Sequence, residues 1–424
     1  MRLILFRIFL FLLVFIQAVI LFFHTSVMAY FITFFLSSVF YFVEVYFLKN
    51  TMLSKKAIIL ISSAFIFLRI IFITIDPIGS DDYYRYLWDG KVSVNGINPY
   101  KYSPDSPELD YLHSDNLPDK VSYPNIKTIY FPVSQWLFKV SYLVSRENPI
   151  ALKLILLLFD ILILISLYYL LNHFKIDTKF LLIYLALPLI NFQFFIDAHI
   201  DLAGAALLLF SLTFYFYNKK ILSYILLGLS LSVKPTGLLL LPFYFQNENA
   251  IKEKLKSFII PTIVFVITFL PYLSTGTPLG TLINYSVNWT FNGLIYNTLK
   301  LFMSNNAAIR ICSGVLFILV YIYMYFIKID LIRKIYLSLF LLIIFSPIVH
   351  PWYLIWFAVL LPFVKSYSGI YFVSVVSVTF LTVITFQTTG IWKESTAVLM
   401  IEYIPTIAIF LYEILKIKIF TSYT

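Results

Sequence analysis

Apolar runs follow one another along almost the whole chain. They fall at residues 4–23, 28–48, 57–75, 150–171, 180–196, 200–217, 258–274, 308–327, 334–349, 351–364, 369–387 and 396–415. A transmembrane helix needs roughly 17 to 25 apolar residues, so most of these runs are long enough to cross a bilayer. Polar and apolar residues do not alternate within them, which excludes a β-barrel. In lipid the backbone has no water to bond, so each run must be helical. The pattern predicts an all-α polytopic membrane protein. One long polar interruption, residues 76–132, breaks it. A mostly membrane-embedded chain needs no such loop to fold, so chemistry is sought there first.

Lysine and arginine in short loops set the orientation of such a chain. Lys49, Lys55 and Lys56 assign the turn after the second run to the cytoplasm, put the N-terminus on the same side and leave residues 76–132 outside. Lys175 and Lys179 require the turn at 172–179 to be inside, so only 150–171 crosses between it and the outer loop. Residues 130–146, with Trp136, Lys139 and Arg146, are then expected in the outer interface. The runs at 180–196 and 200–217 predict a hairpin whose tip, Asp197-Ala198-His199-Ile200-Asp201, faces out.

Lys219 and Lys220 lie inside, and so do Lys252, Lys254 and Lys256. The chain between them must enter the membrane and return. About 25 residues are too few for two full crossings at ~1.5 Å per residue. Two half-helices meeting at Lys234-Pro235 are expected, with proline as the breaker. Beyond them, 274–306 is assigned outside, Lys328, Arg333 and Lys334 inside, and His350-Pro351-Trp352-Tyr353 to an outer turn. Lys365 is inside, Trp392-Lys393-Glu394 outside, and Lys416 and Lys418 inside, so both termini are cytoplasmic.

Composition supports this reading. The 424 residues are 61% hydrophobic and 12% charged, against about 25% charged in soluble domains. The net charge of +10 matches lysine-rich inner loops. No basic face interrupts the apolar runs, which argues against a nucleic-acid partner. A single cysteine, Cys312, excludes an internal disulfide. The N-terminal stretch with Arg2 and Arg7 could pass for a signal peptide, but its apolar run exceeds the ~7–15 residues usual for one. An uncleaved first span is expected.

Within the polar interruption, Asp81 and Asp82 stand at the lip of a span, followed by Tyr83-Tyr84-Arg85-Tyr86. A carboxylate there can take a proton from a sugar hydroxyl as general base. The pair could instead hold Mg2+ or Mn2+ with waters, or simply cap a helix. Arg85 offers bidentate binding to phosphate, and Tyr84 and Tyr86 offer flat faces and hydroxyls to a sugar. Lys234 is an ionisable residue inside an apolar stretch, a functional candidate or a snorkelling cation. His199 and Asp201 flank a hairpin tip, where a structural hydrogen bond is the competing role; no third ligand at a telling spacing makes them a metal site. His350 and Trp352 suit either a site or an aromatic belt. By parity, all these polar islands fall on one side of the membrane, which suggests one outward-facing cavity roofed by residues 76–132.

The run Asp81-Asp82-Tyr83-Tyr84-Arg85-Tyr86-Leu87-Trp88-Asp89-Gly90, with Gly96-Ile97-Asn98-Pro99-Tyr100 behind it, resembles the first outer loop of GT-C glycosyltransferases. The group it resembles most is the polyprenyl-phosphate-mannose-dependent mannosyltransferases. Tyr130-Phe131-Pro132 stands where that family tends to have Tyr-Pro-Pro, and Ala198-His199-Ile200-Asp201 where it tends to have Gly-His-Asn-Asp. Lys234-Pro235 with Leu241-Pro242-Phe243, residues 289–293, and Pro347-Ile348-Val349-His350-Pro351-Trp352-Tyr353 match in type and order.

The resemblance implies a GT-C-like bundle of about 12–14 transmembrane helices whose large first extracytoplasmic loop carries short interfacial helices. Residues 1–56 would be two N-terminal helices, 57–364 the catalytic module and 365–424 the C-terminal helices. It implies transfer of a hexose, most often mannose, from a polyprenyl-phosphate donor to a lipid-linked or envelope glycan acceptor, with inversion, outside the plasma (inner) membrane. Asp82 would be the base, with Asp81 as its alternate or metal partner. Arg85, Lys234 and His350 would meet the donor phosphate. Tyr84, Tyr86, His199, Asp201, Asn288, Asn292 and Trp352 would line the sugar and acceptor sites. Two other classes fit the apolar pattern: a polysaccharide polymerase or ligase, and a transporter or flippase with its substrate at the Lys234 break. No internal repeat of the kind transporters often carry is visible.

Overall fold

The computed structural model describes residues 2–23, 26–273 and 276–417. Ser274 and Lys418, used above to mark loops, lie outside the described residues. Those described are 74% helical, with no strands. In order the helices are α1 (Arg2–Val19), α2 (Val27–Leu48), α3 (Lys55–Phe72), α4 (Asp82–Val94), α5 (Pro132–Ser145) and α6 (Ile150–His173). The short α7 (Leu182–Leu185) and α8 (Pro188–Ile190) precede α9 (Asp201–Phe216), α10 (Lys220–Leu231), α11 (Leu241–Asn247), α12 (Ile251–Phe269), α13 (Leu279–Asn288) and α14 (Leu294–Lys300). Then come α15 (Asn306–Phe326), α16 (Leu331–Phe345), α17 (Ile355–Ala358), α18 (Tyr367–Val375), α19 (Phe380–Thr389) and α20 (Thr396–Tyr412).

Among the described residues, seven helices are long and apolar enough to cross a membrane, or eight if Thr178–Leu185 and Pro188–Ile196, bent by 50° at their break, count as one span. The protein is therefore a multi-pass membrane protein. The other apolar runs form shorter helices. Between α10 and α11 the helix ends at Leu231 and a 3-10 turn begins at Pro235, because proline cannot donate the next hydrogen bond and clashes with the preceding turn. The 14-residue α5 spans about 21 Å at ~1.5 Å per residue, short of the ~30 Å hydrocarbon core.

Two compact units divide the chain: residues 1–79, 167–196 and 290–424 form one, and residues 80–166 and 197–289 the other. In the first, Arg69 of α3 is fully buried. Its Nε donates to Asn191 Oδ1 at 3.3 Å, Nη2 to the Leu185 carbonyl at 3.1 Å, and the rings of Tyr184 and Phe195 lie 5.4 and 5.7 Å from the guanidinium. Carbonyl dipoles and ring faces thus replace water around a charge that lipid would reject.

In the second unit α4 and α5 lie against each other. A Cβ on Gly90 would stand 2.4 Å from the Phe138 carbonyl oxygen, so only glycine permits this approach. The polar interruption has a small core of its own. Leu87, Trp88 and Val92 of α4 pack with Leu109, Leu112, Leu117 and Val121. Lys91 Nζ donates to Glu147 Oε1 at 2.7 Å, and Ser114 Oγ donates to the same carboxylate. The loop is therefore fastened on both sides of α4, and the first residue of α4 is Asp82.

Candidate active site

Asp82 begins α4, where unpaired backbone N–H groups favour a negative side chain. Burial works against that charge. The carboxyl is pushed from its ordinary 3.8 to about 7, by desolvation first and then by the carboxylates of Asp81 and Asp201, with Lys234 and a hydrogen bond from Tyr86 opposing. Its side chain is nonetheless 32% exposed, so it is both perturbed and reachable. Asp82 Oδ2 lies 3.6 Å from Nδ1 of His199, whose side chain is fully buried. Tyr86 Oη lies 3.4 Å from the same nitrogen. Tyr86 packs between Tyr130, edge-on at 5.0 Å, and Phe138, stacked at 4.6 Å. Both tyrosine hydroxyls resist ionisation, held up by burial and by the Asp82 charge.

Lys234 and Asp201 complete this group. Lys234 Nζ donates to Asp201 Oδ1 at 2.8 Å. The lysine side chain is 27% exposed and the aspartate 6%, so the pair is mostly buried with the lysine as its more exposed member. The break that exposes Lys234 is pinned from α5: the Val133 N–H donates to the Ser232 carbonyl at 3.0 Å and Ser134 Oγ to that of Val233 at 3.3 Å. Residues 82, 86, 199, 201 and 234, scattered between positions 82 and 234 of the sequence, are thus brought together within one unit.

Arg85 turns elsewhere. Its Nε donates to Asp89 Oδ1 one turn on, at 3.1 Å. Asp89, buried, also accepts from Thr128 Oγ1 at 2.5 Å and Gln135 Nε2 at 2.8 Å. This network ties α4, α5 and the loop together. The Arg85/Asp89 spacing of four was its one signal in the sequence; nothing flagged Thr128 or Gln135.

Asp81 is exposed, and its Oδ2 accepts a hydrogen bond from Ser122 Oγ. Tyr84 lies against Tyr83, ring centres 4.0 Å apart, with Lys120 Nζ 5.5 Å from its ring. Asn288 is exposed and donates to the Asn284 carbonyl at 3.0 Å. The structure does not bring Asp81 into the buried group. Among the described residues, no three His, Cys, Asp or Glu side chains gather to hold a metal ion.

Asn292, His350 and Trp352 belong to the other unit and form a second cluster there. Asn292 is buried in a left-handed backbone conformation (φ 53°). Its N–H donates to Glu394 Oε2 at 2.8 Å, its Nδ2 to Glu402 Oε2 at 2.7 Å, and its carbonyl accepts from Tyr403 Oη at 2.7 Å. His350 is stacked between Trp352, at 4.4 Å and 7°, and Phe291, at 4.9 Å and 27°. The Val349 N–H donates to the Phe291 carbonyl at 2.7 Å, and a Cβ on Gly293 would meet the Ser346 carbonyl at 2.7 Å. The two motifs, some 55 residues apart, are therefore one structural feature.

A perturbed, reachable carboxylate beside an imidazole, two phenols and an ammonium can remove a proton and stabilise an anion. Comparison with known families narrows this chemistry. The family model described as alpha-(1->6)-mannopyranosyltransferase, N-terminal domain, matches residues 14–247, more than half of the chain. The chain belongs to this mannosyltransferase family. A second model, the MptB C-terminal domain, matches residues 278–415. No curated protein and no solved structure matches the chain. As a mannosyltransferase, the protein carries the Asp82 group within the first matched region and the Asn292/His350 cluster within the second.

Proposed function

We propose that this mannosyltransferase moves mannose from a polyprenyl-phosphate donor to a hydroxyl of a lipid-linked or envelope glycan on the extracytoplasmic face of the plasma (inner) membrane. Asp82 acts as general base. The observation that carries the reading is a carboxyl poised near neutrality, yet one-third open, at the head of a helix. Asp82 takes the proton of the acceptor hydroxyl as its oxygen bonds to the anomeric carbon. The carbon–oxygen bond to phosphate breaks on the opposite face, and its electron pair leaves with the phosphate. A single displacement inverts the anomeric centre, so an α-linked product requires a β-linked donor.

Lys234, steered by Asp201, meets the charge that grows on the leaving phosphate. Within the C-terminal region, His350 is a candidate phosphate ligand. Tyr84 supplies a face for a sugar beside Asp82, and Trp352 is a separate candidate within the C-terminal region. A lipid carrier suits a chain that is 61% hydrophobic, because its tail needs an apolar groove and a nucleotide sugar does not.

The test uses full-length protein in nanodiscs with an α-mannoside acceptor bearing a free 6-hydroxyl. Transfer from polyprenyl-phosphate β-mannose, with none from the α-linked donor or from a nucleotide-activated mannose, is expected. Transfer from the nucleotide donor alone, or retention of configuration, would refute the proposal.

A further inference from the structure

The site holds one more acid–base group than a simple displacement uses. His199 Nδ1 faces two acidic groups, the Asp82 carboxylate at 3.6 Å and the Tyr86 hydroxyl at 3.4 Å. The Tyr86 hydroxyl also bonds the Asp82 carboxylate, so it touches both of the other groups. The imidazole is fully buried while Asp82 opens to the cavity. Tyr86 is buried as well, so of the three groups the carboxylate is the one that reaches the surface.

We propose that His199 is the second proton acceptor of the site, reached from Asp82 through Tyr86. This rests on the reading of Asp82 as base. Once an acceptor sugar covers the opening, a protonated Asp82 cannot release its proton to water. Asp82 Oδ2–H passes its proton to Tyr86 Oη as the phenol's own proton moves to His199 Nδ1. The carboxylate is restored and the imidazole becomes imidazolium, with its other proton on Nε2. When product leaves, the proton returns by the same path to water. No other reactant is needed.

The surroundings suit a proton held in transit. Asp81 and Asp201 raise the proton affinity of Asp82, and Lys234 lowers it. Tyr130, hydrogen-bonded to Tyr86, stays protonated and does not drain the path. His199 is thus a positioning and relay residue that acts through Asp82 rather than on the sugar.

The experiment compares wild type, His199→Gln, Tyr86→Phe and Asp82→Asn in nanodiscs, reading kcat, donor KM and the pH dependence of kcat/KM. In wild type two coupled protons must leave, so the acid limb should be steeper than one proton per pH unit. In His199→Gln it should fall to one, with kcat reduced about 10- to 100-fold and donor KM within about twofold. Tyr86→Phe should lower kcat about tenfold with unchanged KM, and this variant decides the matter if His199→Gln does not fold. An unaltered limb in a folded His199→Gln enzyme, or full kcat in Tyr86→Phe, would overturn the relay while leaving Asp82 as base. Full activity in Asp82→Asn would instead overturn the base.

Discussion

Lys234 Nζ stands 2.8 Å from Asp201 Oδ1 at the point where the helix after Leu231 is broken. The break and the ion pair explain each other. Proline at 235 ends the helix, and the extended backbone at Lys234 (φ −153°, ψ 135°) sets the lysine against an aspartate at the head of α9.

Breaking this pair from one side leaves a nearly buried carboxylate without its cation. Lys234→Met is therefore expected to destabilise the protein by about 3 kcal/mol and to weaken donor binding. Lys234→Met combined with Asp201→Leu should recover much of the stability but none of the donor affinity. Thermal unfolding and donor titration in the same detergent check both halves. A double variant that also binds donor normally would remove Lys234 from the phosphate site.

The raised carboxyl of Asp82 gives two pH effects of opposite sense. As a base it works only when ionised, so kcat/KM should fall at least tenfold per pH unit below about pH 6. For stability, the folded chain keeps a proton on Asp82 between about pH 4 and 7 that the unfolded chain has released. This group's stabilising contribution is full below pH 4 and is lost as pH rises through 7. Asp82→Asn should accordingly gain on wild type in melting temperature between pH 4 and pH 8. A constant difference would mean that the carboxyl is not perturbed.

Much of this site was legible because its residues break strong local rules. Two carboxylates at the lip of a span, a lysine within an apolar stretch and a histidine at a hairpin tip all conflict with membrane burial, and Asp82, Lys234 and His199 indeed share one group. The fold class followed from apolar run length alone. The helix lengths did not: the apolar run at 334–349 is a helix over Leu331–Phe345, which starts earlier at a charged turn where Asp330 accepts from the Arg333 N–H, and ends before Ser346. The Asp89–Thr128–Gln135 network was not legible either. Its members are ordinary polar residues up to 46 positions apart, and only folding makes their pairing visible. Arg85 read as a phosphate ligand, yet its spacing to Asp89 makes an intrahelical pair the nearer option.

Asn292 shows the same limit. Its side chain is spent on Glu402 and its backbone on Glu394 and Tyr403. Asn292→Ala should therefore lower the melting temperature, by the equivalent of about 1–3 kcal/mol for an unsatisfied buried acceptor. Asn292→Asp should cost more, because it sets a second carboxylate against Glu402. If Asn292→Ala instead raised KM for a sugar with unchanged melting temperature, its role would be contact with substrate.

The central claim is that Asp82 takes the proton of the acceptor hydroxyl. Single-turnover transfer of mannose from polyprenyl-phosphate mannose by Asp82→Asn, with donor and acceptor saturating, tests it most directly. A rate at least about 100-fold below wild type, with donor affinity retained, is the expected result. A rate equal to wild type would contradict the assignment.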